Sequence, residues 1–192
     1  MVAEAKAALR QTVLQRRDAL PADERVSSGK RIISRVLDLP DYSRAKTILA
    51  YASIGSELDT GEFLRRVLED GKGLVLPRVE GGELRLYRVK DLSRDLAPGT
   101  WGIPEPVPDR CPGLDISGVD FALVPGVAFD RGCRRLGHGA GFYDRLLGGG
   151  LRARAVSGAF GVQIVAEVPV DGHDVPVDAV VTEDGVLTGS PA

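Results

Sequence analysis

The sequence contains one glycine-rich stretch between an apolar run and a helix-like segment: Arg135-Leu136-Gly137-His138-Gly139-Ala140-Gly141-Phe142-Tyr143-Asp144. Alternate glycines let bare backbone N–H groups approach an anion, because a side chain would block close contact or forbid a positive φ. The flanking arginine and the start of a helix would add positive charge. The stretch therefore predicts a phosphate-binding loop within a strand–loop–helix unit; the alternative is a flexible surface turn.

The spacing of these glycines fits neither of the two common nucleotide motifs. A Walker loop ends in Gly-Lys-Ser/Thr, and the dinucleotide fingerprint requires glycine where Phe142 stands. The predicted loop is therefore a phosphate cradle of another kind.

Length and composition predict one globular domain over residues 1–192. Hydrophobic residues make up 43% of the chain and charged residues 27%, which is ordinary for a soluble protein large enough to fold without disulfides. No apolar run approaches the ~18 residues that cross a bilayer. The first residues also lack an apolar signal core. We therefore expect a cytoplasmic protein that does not bind membranes, with a monomer as the favoured state.

Charge and cysteine content narrow the functional classes further. The formal net charge of -2 argues against a protein that mainly binds nucleic acid, which requires a concentrated basic face. A local basic pocket for a small phosphate ligand remains compatible with it. Cys111 and Cys133 have no CxxC spacing, so reduced cysteines fit better than a disulfide framework or a zinc site.

Hydrophobic periodicity predicts two N-terminal helices, over 4–20 and 22–37, followed by short apolar runs. The runs at 47–52 and 74–77 flank a segment of helical spacing, which favours a parallel strand pair with a right-handed crossover. Segment 83–89 alternates and predicts an added strand. Further strands are expected at 121–124, 155–160 and 179–182, with 98–112 as a loop. The sequence thus predicts an α/β fold, a three-layer α/β/α sandwich with a mostly parallel, Rossmann-like sheet.

Several charged residues are candidates for a site. Lys6, Arg10 and Arg17 fall within one stripe of the first helix; phosphate binding and a solvated face are both open for this stripe. Glu57 follows a buried-strand pattern, so it lies where ligands gather in open α/β sheets. A helix-entry charge is the alternative role for Glu57.

Aromatic and acidic residues add further candidates. Trp101, the only tryptophan, could stack on a heteroaromatic ring or anchor its loop to the core. Asp144 lies beside the predicted phosphate loop, and Mg²⁺ prefers such carboxylate oxygens together with phosphate. His138 and His173 have no zinc or triad spacing.

The longer string Asp120–Asp130, with Gly132 and the glycine loop, resembles the signature of the 5-formyltetrahydrofolate cyclo-ligase family, also called methenyltetrahydrofolate synthetases. Other segments agree with that family in order along the chain: Lys6 to Arg10, Ser56 to Thr60, Leu76 to Arg78, Trp101 to Pro106 and Asp174 to Asp178. The resemblance covers nearly the whole chain.

The resemblance implies a ligase that uses ATP and Mg²⁺ to cyclise 5-formyltetrahydrofolate to 5,10-methenyltetrahydrofolate, releasing ADP and phosphate. It implies an ATP site of Lys6, Arg10, Arg135, Gly137, His138, Gly139, Ala140, Gly141, Phe142 and Tyr143. It implies folate contacts from Ala52, Glu57, Trp101 and Tyr143, and metal ligation by Asp144 and Asp174. No protein nucleophile is implied; Lys6, Arg10 and Arg135 would stabilise charge on the transferring phosphoryl group.

The loop departs from the family pattern at three positions. His138 stands where arginine is usual, Ala140 where glycine or lysine is common, and Phe142 where tyrosine is common. Imidazole in place of a permanent cation makes the attraction for phosphate depend on pH. Two other functions therefore stay open: a nucleotide- or folate-binding module of the same fold without efficient turnover, and an α/β enzyme for another anionic substrate.

Overall fold

The computed structural model of the protein describes residues 1–189, which are arranged around one large β-sheet. The helices are α1 Val2–Asp18, α2 Ala22–Leu37, α3 Pro40–Arg44, α4 Gly61–Glu69 and α5 Phe142–Gly148. The strands are β1 Thr47–Leu49, β2 Gly73–Glu80, β3 Glu83–Val89, β4 Leu96–Pro98, β5 Pro104–Pro106, β6 Gly113–Leu114, β7 Phe121–Leu123, β8 Ala128–Asp130, β9 Arg135–Leu136, β10 Arg154–Gly158, β11 Ile164–Val165, β12 Ala179–Val181 and β13 Val186–Thr188.

The large sheet has the strand order β13-β12-β10-β7-β1-β2-β3-β6. Its centre, from β12 to β2, is parallel, and antiparallel pairings add β13 at one edge and β3 and β6 at the other. In the register, Ile48 of β1 lies between Leu74 of β2 and Phe121 of β7. The carboxyl ends of the parallel strands therefore meet along one edge of the sheet, where ligands bind in open α/β folds.

Both faces of the sheet are covered, and alternating residues of each strand divide between them. Ile48 packs with α2, α3 and α4 through Ile32, Tyr42 and Phe63. The next residue, Leu49, belongs to the opposite core, which is closed by α5 and by irregular segments. Burial on both faces explains why the central strands read as apolar runs rather than as alternating patterns.

Helix α1 packs on a small second sheet of β11, β8 and β9. Val13, its one buried apolar residue, contacts a cluster that includes Val127, Leu136 and Val168. Because β9 leads directly into the glycine loop, this packing brings the cationic stripe of α1 toward that loop.

The structure confirms the predicted α/β class and the mostly parallel sheet. Helix α2 has the predicted bounds, and α5 follows the glycine loop in the crossover between β7 and β10. β1 is shorter than predicted and ends at Leu49, and the expected loop at 98–112 contains strand β5. Within residues 1–189, no helix combines the length and the apolarity needed to cross a bilayer.

Candidate active site

A pocket of about 650 Å³ opens beyond the carboxyl ends of β1 and β7. Its walls come from the segment after β1, from the glycine loop with the start of α5, and from the segment around Trp101. Pro125 after β7 and Pro77 of β2 also line it. A pocket of this size suits a small-molecule ligand.

The glycine loop borders this pocket with unused backbone donors. None of the N–H groups from Gly137 to Gly141 donates to an acceptor within residues 1–189. Gly139 and Gly141 have φ values of 108° and 66°, a region that side chains disfavour. Glycine at these positions therefore lets the loop turn while its amides stay available to a ligand, as a phosphate cradle requires.

Arg135 places a buried positive charge beneath the loop. Its side chain is 2% exposed, and Nη2 donates to Oδ1 of Asp144 at 2.7 Å. Nη1 donates to the carbonyl of Pro125 at 3.3 Å, while Nε is buried and has no acceptor in the described part of the chain. The guanidinium carbon also lies 6.0 Å from the ring centroid of Tyr143.

Lys6 and Arg10, the two residues of α1 predicted to bind phosphate, reach different parts of the site. Arg10 Nε donates to the carbonyl of Gly137 at 2.8 Å, so this guanidinium lies against the glycine loop. Lys6 Nζ lies 2.7 Å from Asp171 Oδ2 and 2.6 Å from Asp174 Oδ2. Partial burial alone would lower the pKa of Lys6, but these two carboxylates outweigh it and raise that pKa.

Glu57 joins the segment after β1 to the glycine loop. One carboxylate oxygen lies 3.1 Å from His138 Nε2, and the other accepts the N–H of Ile54 at 3.0 Å. Burial raises the pKa of the Tyr143 hydroxyl, and the negative charge of Glu57 raises it further. The same two causes raise the pKa of Tyr51. Both tyrosines therefore stay neutral beside this carboxylate.

The aromatic candidates lie at the rim of the pocket. Trp101 is 70% exposed and has a φ of 57°, an uncommon value for a residue other than glycine. Its ring centroid lies 6.5 Å from that of Phe142. Ala52 lines the same pocket. The four predicted folate residues thus share one cavity with most of the glycine loop, whereas Lys6, Arg10, Gly139 and Asp174 do not line it.

The two predicted metal ligands lie next to each other in the fold. Asp144 Oδ1 accepts the backbone N–H of Val175 at 3.1 Å, so the residue before it, Asp174, is close to Asp144. Both oxygens of Asp174 are within 2.8 Å of Lys6 Nζ. Residues 1–189 contain no group of three or more His, Cys, Asp or Glu side chains arranged to hold a metal ion. Any divalent ion here would depend largely on ligand phosphate oxygens.

Comparison with known proteins shows which family the chain belongs to. A family model described as the 5-formyltetrahydrofolate cyclo-ligase family matches residues 2–183. The chain belongs to this family. The predicted resemblance is therefore confirmed.

Relatives and solved structures agree with this membership. The chain is 32% identical to the 5-formyltetrahydrofolate cyclo-ligase of Mus musculus, covering 95% of this chain and 96% of that protein. It is also 32% identical to the cyclo-ligase of Escherichia coli K12, over 91% of this chain and 98% of that protein. An NMR structure of the Aquifex aeolicus 5,10-methenyltetrahydrofolate synthetase shares the fold with a TM-score of 0.87 and 38% identity, covering 97% of this chain and 94% of that one.

The three departures from the cyclo-ligase loop pattern have defined surroundings. His138 faces Glu57 rather than a basic neighbour. The carbonyl of Ala140 accepts from Arg145 Nη1 at 3.1 Å, and that guanidinium carbon lies 5.4 Å from the centre of the Phe142 ring. Arg145 also donates to the carbonyl of Gly82 at 3.2 Å. It therefore ties the glycine loop to the turn between β2 and β3.

Two further buried charged residues, Arg17 and Glu105, line the pocket, and the sequence predicts no substrate contact for either. Arg17 received no support beyond its place in the stripe of α1, yet its side chain is buried against the segment after β1. Glu105 is also buried, and Arg78 Nη1 lies 3.5 Å from its carboxylate. The sequence nevertheless gives an indication of each residue. Arg17 continues the cationic stripe of α1, and Glu105 lies within Trp101 to Pro106, a segment that agrees with the family.

Proposed function

We propose that the protein is a cyclo-ligase that converts 5-formyltetrahydrofolate and ATP into 5,10-methenyltetrahydrofolate, ADP and phosphate. One observation carries the proposal: the five successive backbone N–H groups from Gly137 to Gly141 have no acceptor within residues 1–189. All of these residues except Gly139 line the same pocket as Ala52, Glu57 and Trp101. A phosphate cradle and a cavity for a ring compound thus adjoin, as transfer between ATP and folate requires. Membership of the cyclo-ligase family supports this assignment.

In the proposed nucleotide site, the loop amides bind phosphate oxygens, and the cations around them neutralise charge. Arg10 lies against the carbonyl of Gly137, and Arg135 lies buried beneath the loop with an Nε–H that has no acceptor in the described part of the chain. Lys6 is held by carboxylates close to Asp144. Charge stabilisation of this kind is most of what phosphoryl transfer needs. Further contacts are proposed for the rest of the loop: His138, Ala140, Phe142 and Tyr143.

In the proposed folate site, Glu57 accepts hydrogen bonds from N–H groups of the pterin ring. Its carboxylate reaches the pocket wall, where His138 and one backbone N–H are its only hydrogen-bond partners among residues 1–189. Tyr143 and Ala52 form apolar wall, and exposed Trp101 covers the ligand from the rim. Aromatic faces suit a flat heteroaromatic ring.

The proposed reaction proceeds in two steps, a phosphoryl transfer and a ring closure. The formyl oxygen attacks the γ-phosphorus of ATP, the bond from that phosphorus to the bridging oxygen breaks, and ADP leaves. N10 of the folate then attacks the formyl carbon, the carbon–oxygen bond breaks, and phosphate leaves with the former formyl oxygen. N10 loses its proton, which completes the cyclic methenyl product. The protein holds the two substrates in line and stabilises negative charge.

Magnesium fits this site as a proposed cofactor. Asp144 Oδ1 is shared by Arg135 and the N–H of Val175, and no residue in 1–189 donates to its second oxygen. One or two carboxylates and several phosphate oxygens are a usual set for Mg²⁺. Asp144 and Asp174 would hold the ion, which would supply charge neutralisation on the phosphates. The location proposed for the protein is the cytoplasm, which the free cysteines Cys111 and Cys133 support.

The proposal is tested by mixing the protein with 5-formyltetrahydrofolate, Mg²⁺ and ATP and following the absorbance of the methenyl product. We expect the absorbance to grow only when ATP is present, and ADP to form in equal amount. Arg135→Gln should abolish most of the rate while the protein still binds folate. If the protein binds both ligands but forms no product, it is a binding module; if it binds neither, it acts on another anionic substrate.

A further inference from the structure

A buried guanidinium lines the pocket but takes no part in the ATP and folate contacts proposed above. Arg17, in the last turn of α1, is 5% exposed and lines the pocket. Its Nε donates to the hydroxyl of Ser56 at 3.0 Å, and that hydroxyl also bonds to Asp18. This contact uses one of the five N–H donors of the side chain.

The two terminal nitrogens of Arg17 have no acceptor of their own among the described residues. Neither donates a hydrogen bond to any group in residues 1–189, and no carboxylate there lies within 4.0 Å of the guanidinium. Asp18 is reached only through Ser56. Within residues 1–189 the one fully buried side-chain nitrogen without a partner is Arg135 Nε, so the terminal nitrogens of Arg17 are open to the pocket that this residue lines. A role limited to holding Ser56 would need only Nε, so the remaining donors point to a ligand.

The neighbour of Arg17 along this wall is Glu57, which directly follows Ser56. Both residues line the pocket, and both act on the buried hydroxyl of Tyr51: the charge of Glu57 raises its pKa, and the charge of Arg17 opposes that rise. A set of hydrogen-bond donors therefore lies beside a carboxylate acceptor. That pairing matches the edge of a 4-oxopteridine ring, where the C4 carbonyl accepts and the adjacent N3–H and 2-amino group donate.

We propose that Arg17 is a further substrate-binding residue, whose terminal N–H groups donate to the C4 carbonyl of the pterin beside Glu57. This inference rests on the proposed folate substrate. It makes Arg17 responsible for specificity, because a ring with an amino group at C4 offers a donor where the guanidinium requires an acceptor. A site built on such donors rejects an analogue that cannot accept from them.

The test compares two ligands on matched variants by calorimetry without ATP. The ligands are 5-formyltetrahydrofolate and its 4-amino-4-deoxy analogue. The variants are Arg17→Gln, the conservative Arg17→Lys, and Arg16→Gln, which removes the same charge from the exposed neighbouring position. Thermal unfolding of each variant checks that it is folded; if Arg17→Gln does not fold, Arg17→Lys answers the same question.

We expect Arg17→Gln to weaken binding of the 4-oxo ligand by about tenfold to hundredfold, as for a lost hydrogen bond from a charged group. Binding of the 4-amino ligand should change much less, Arg17→Lys should be intermediate, and Arg16→Gln should match the wild type. An equal loss for both ligands, or no loss for either, overturns the inference. Wild-type protein that binds no reduced folate contradicts the proposed function instead, which is a distinguishable failure.

Discussion

Lys6 is paired with carboxylates, unlike a charge on a solvated helix face. Its ammonium is held between Asp171 and Asp174, beside the chain segment that donates to Asp144. We predict that Lys6→Gln raises the KM for ATP by about tenfold to hundredfold, because a charge-assisted contact to phosphate is lost. The KM for folate should change little. Steady-state kinetics with each substrate varied would measure both constants.

The matched control for Lys6 is Lys46→Gln, at an exposed lysine that follows α3 and does not line the pocket. It should leave both KM values unchanged. Equal increases in the two KM values for Lys6→Gln, in a variant with normal thermal stability, would refute a specific role on the nucleotide.

Substitution of Glu57 should affect folate binding rather than ATP binding, the opposite of what is expected for Lys6. Glu57→Gln keeps the size of the side chain but removes the charge that accepts from the pterin, so folate binding should weaken by about tenfold or more. ATP affinity should stay close to the wild-type value. Calorimetry with each ligand separately measures the two effects. A variant that binds folate normally and ATP poorly would contradict the proposed position of this carboxylate, since His138 would then link it to the nucleotide.

The sequence predicts some of these residues well and others poorly, for physical reasons. Glu57 was found because the end of a parallel strand marks a ligand edge. The burial of Arg17 could not be predicted, because a cation on a helix is buried or exposed according to what packs over it, and Ser56 lies 39 residues away in the chain. The ion pairs of Lys6 could not be predicted either, since they span 165 and 168 residues.

The glycine loop and α5 depend on backbone conformations that only glycine adopts easily. Gly141 precedes α5 with a φ of 66°, and a Cβ there would lie 2.8 Å from Arg145 Nη1. Gly141→Ala should therefore cost about 1–2 kcal/mol of local stability and weaken ATP binding. Chemical denaturation and calorimetry with ATP would measure the two losses.

The control for this element is Gly185→Ala, because Gly185 lies in the turn before β13, has no positive φ, and has open space where a Cβ would be. It should affect neither stability nor ATP binding by a comparable amount. Normal ATP affinity in Gly141→Ala would show that the loop conformation is not what binds phosphate.

Long helices and strands with a clear hydrophobic period were predicted more accurately than short ones. Helix α2 follows a clear apolar spacing and has the predicted bounds, and the first four residues of β3, Glu83 to Leu86, alternate between polar and apolar. β8, β9 and β11 have only two or three residues each, too few for a period to emerge. Their pairing depends on contacts distant in sequence, so the small sheet under α1 could not be predicted.

Several aspartates link distant elements of the fold and make the stability of the folded protein depend on pH. Asp70 accepts from Tyr42 Oη and Arg66 Nε, both at 2.8 Å, and these hydrogen bonds lower its pKa. The hydrogen bond from Lys6 likewise lowers the pKa of Asp171. A carboxyl whose pKa is lower in the folded protein stabilises it above the unfolded pKa of ~3.9, and this contribution is lost as pH falls toward the folded value.

We therefore predict that the melting temperature decreases as the pH is lowered below about 4. Asp70→Asn should be less stable by about 1 kcal/mol at neutral pH and should lose less stability on acidification than the wild type. Asp184→Asn is the control, because the carboxylate of Asp184 accepts no hydrogen bond from residues 1–189. Parallel pH profiles for Asp70→Asn and wild type would contradict this account of acid sensitivity.

The fate of the formyl oxygen distinguishes the proposed cyclisation from simple hydrolysis of ATP. The protein is incubated with ATP, Mg²⁺ and 5-formyltetrahydrofolate that carries ¹⁸O in the formyl group, and the released phosphate is analysed by mass spectrometry. We expect each phosphate to gain one ¹⁸O atom as methenyl product forms, because the formyl oxygen attacks the γ-phosphorus. Phosphate without ¹⁸O, formed by hydrolysis of ATP with water, would contradict the proposed cyclisation.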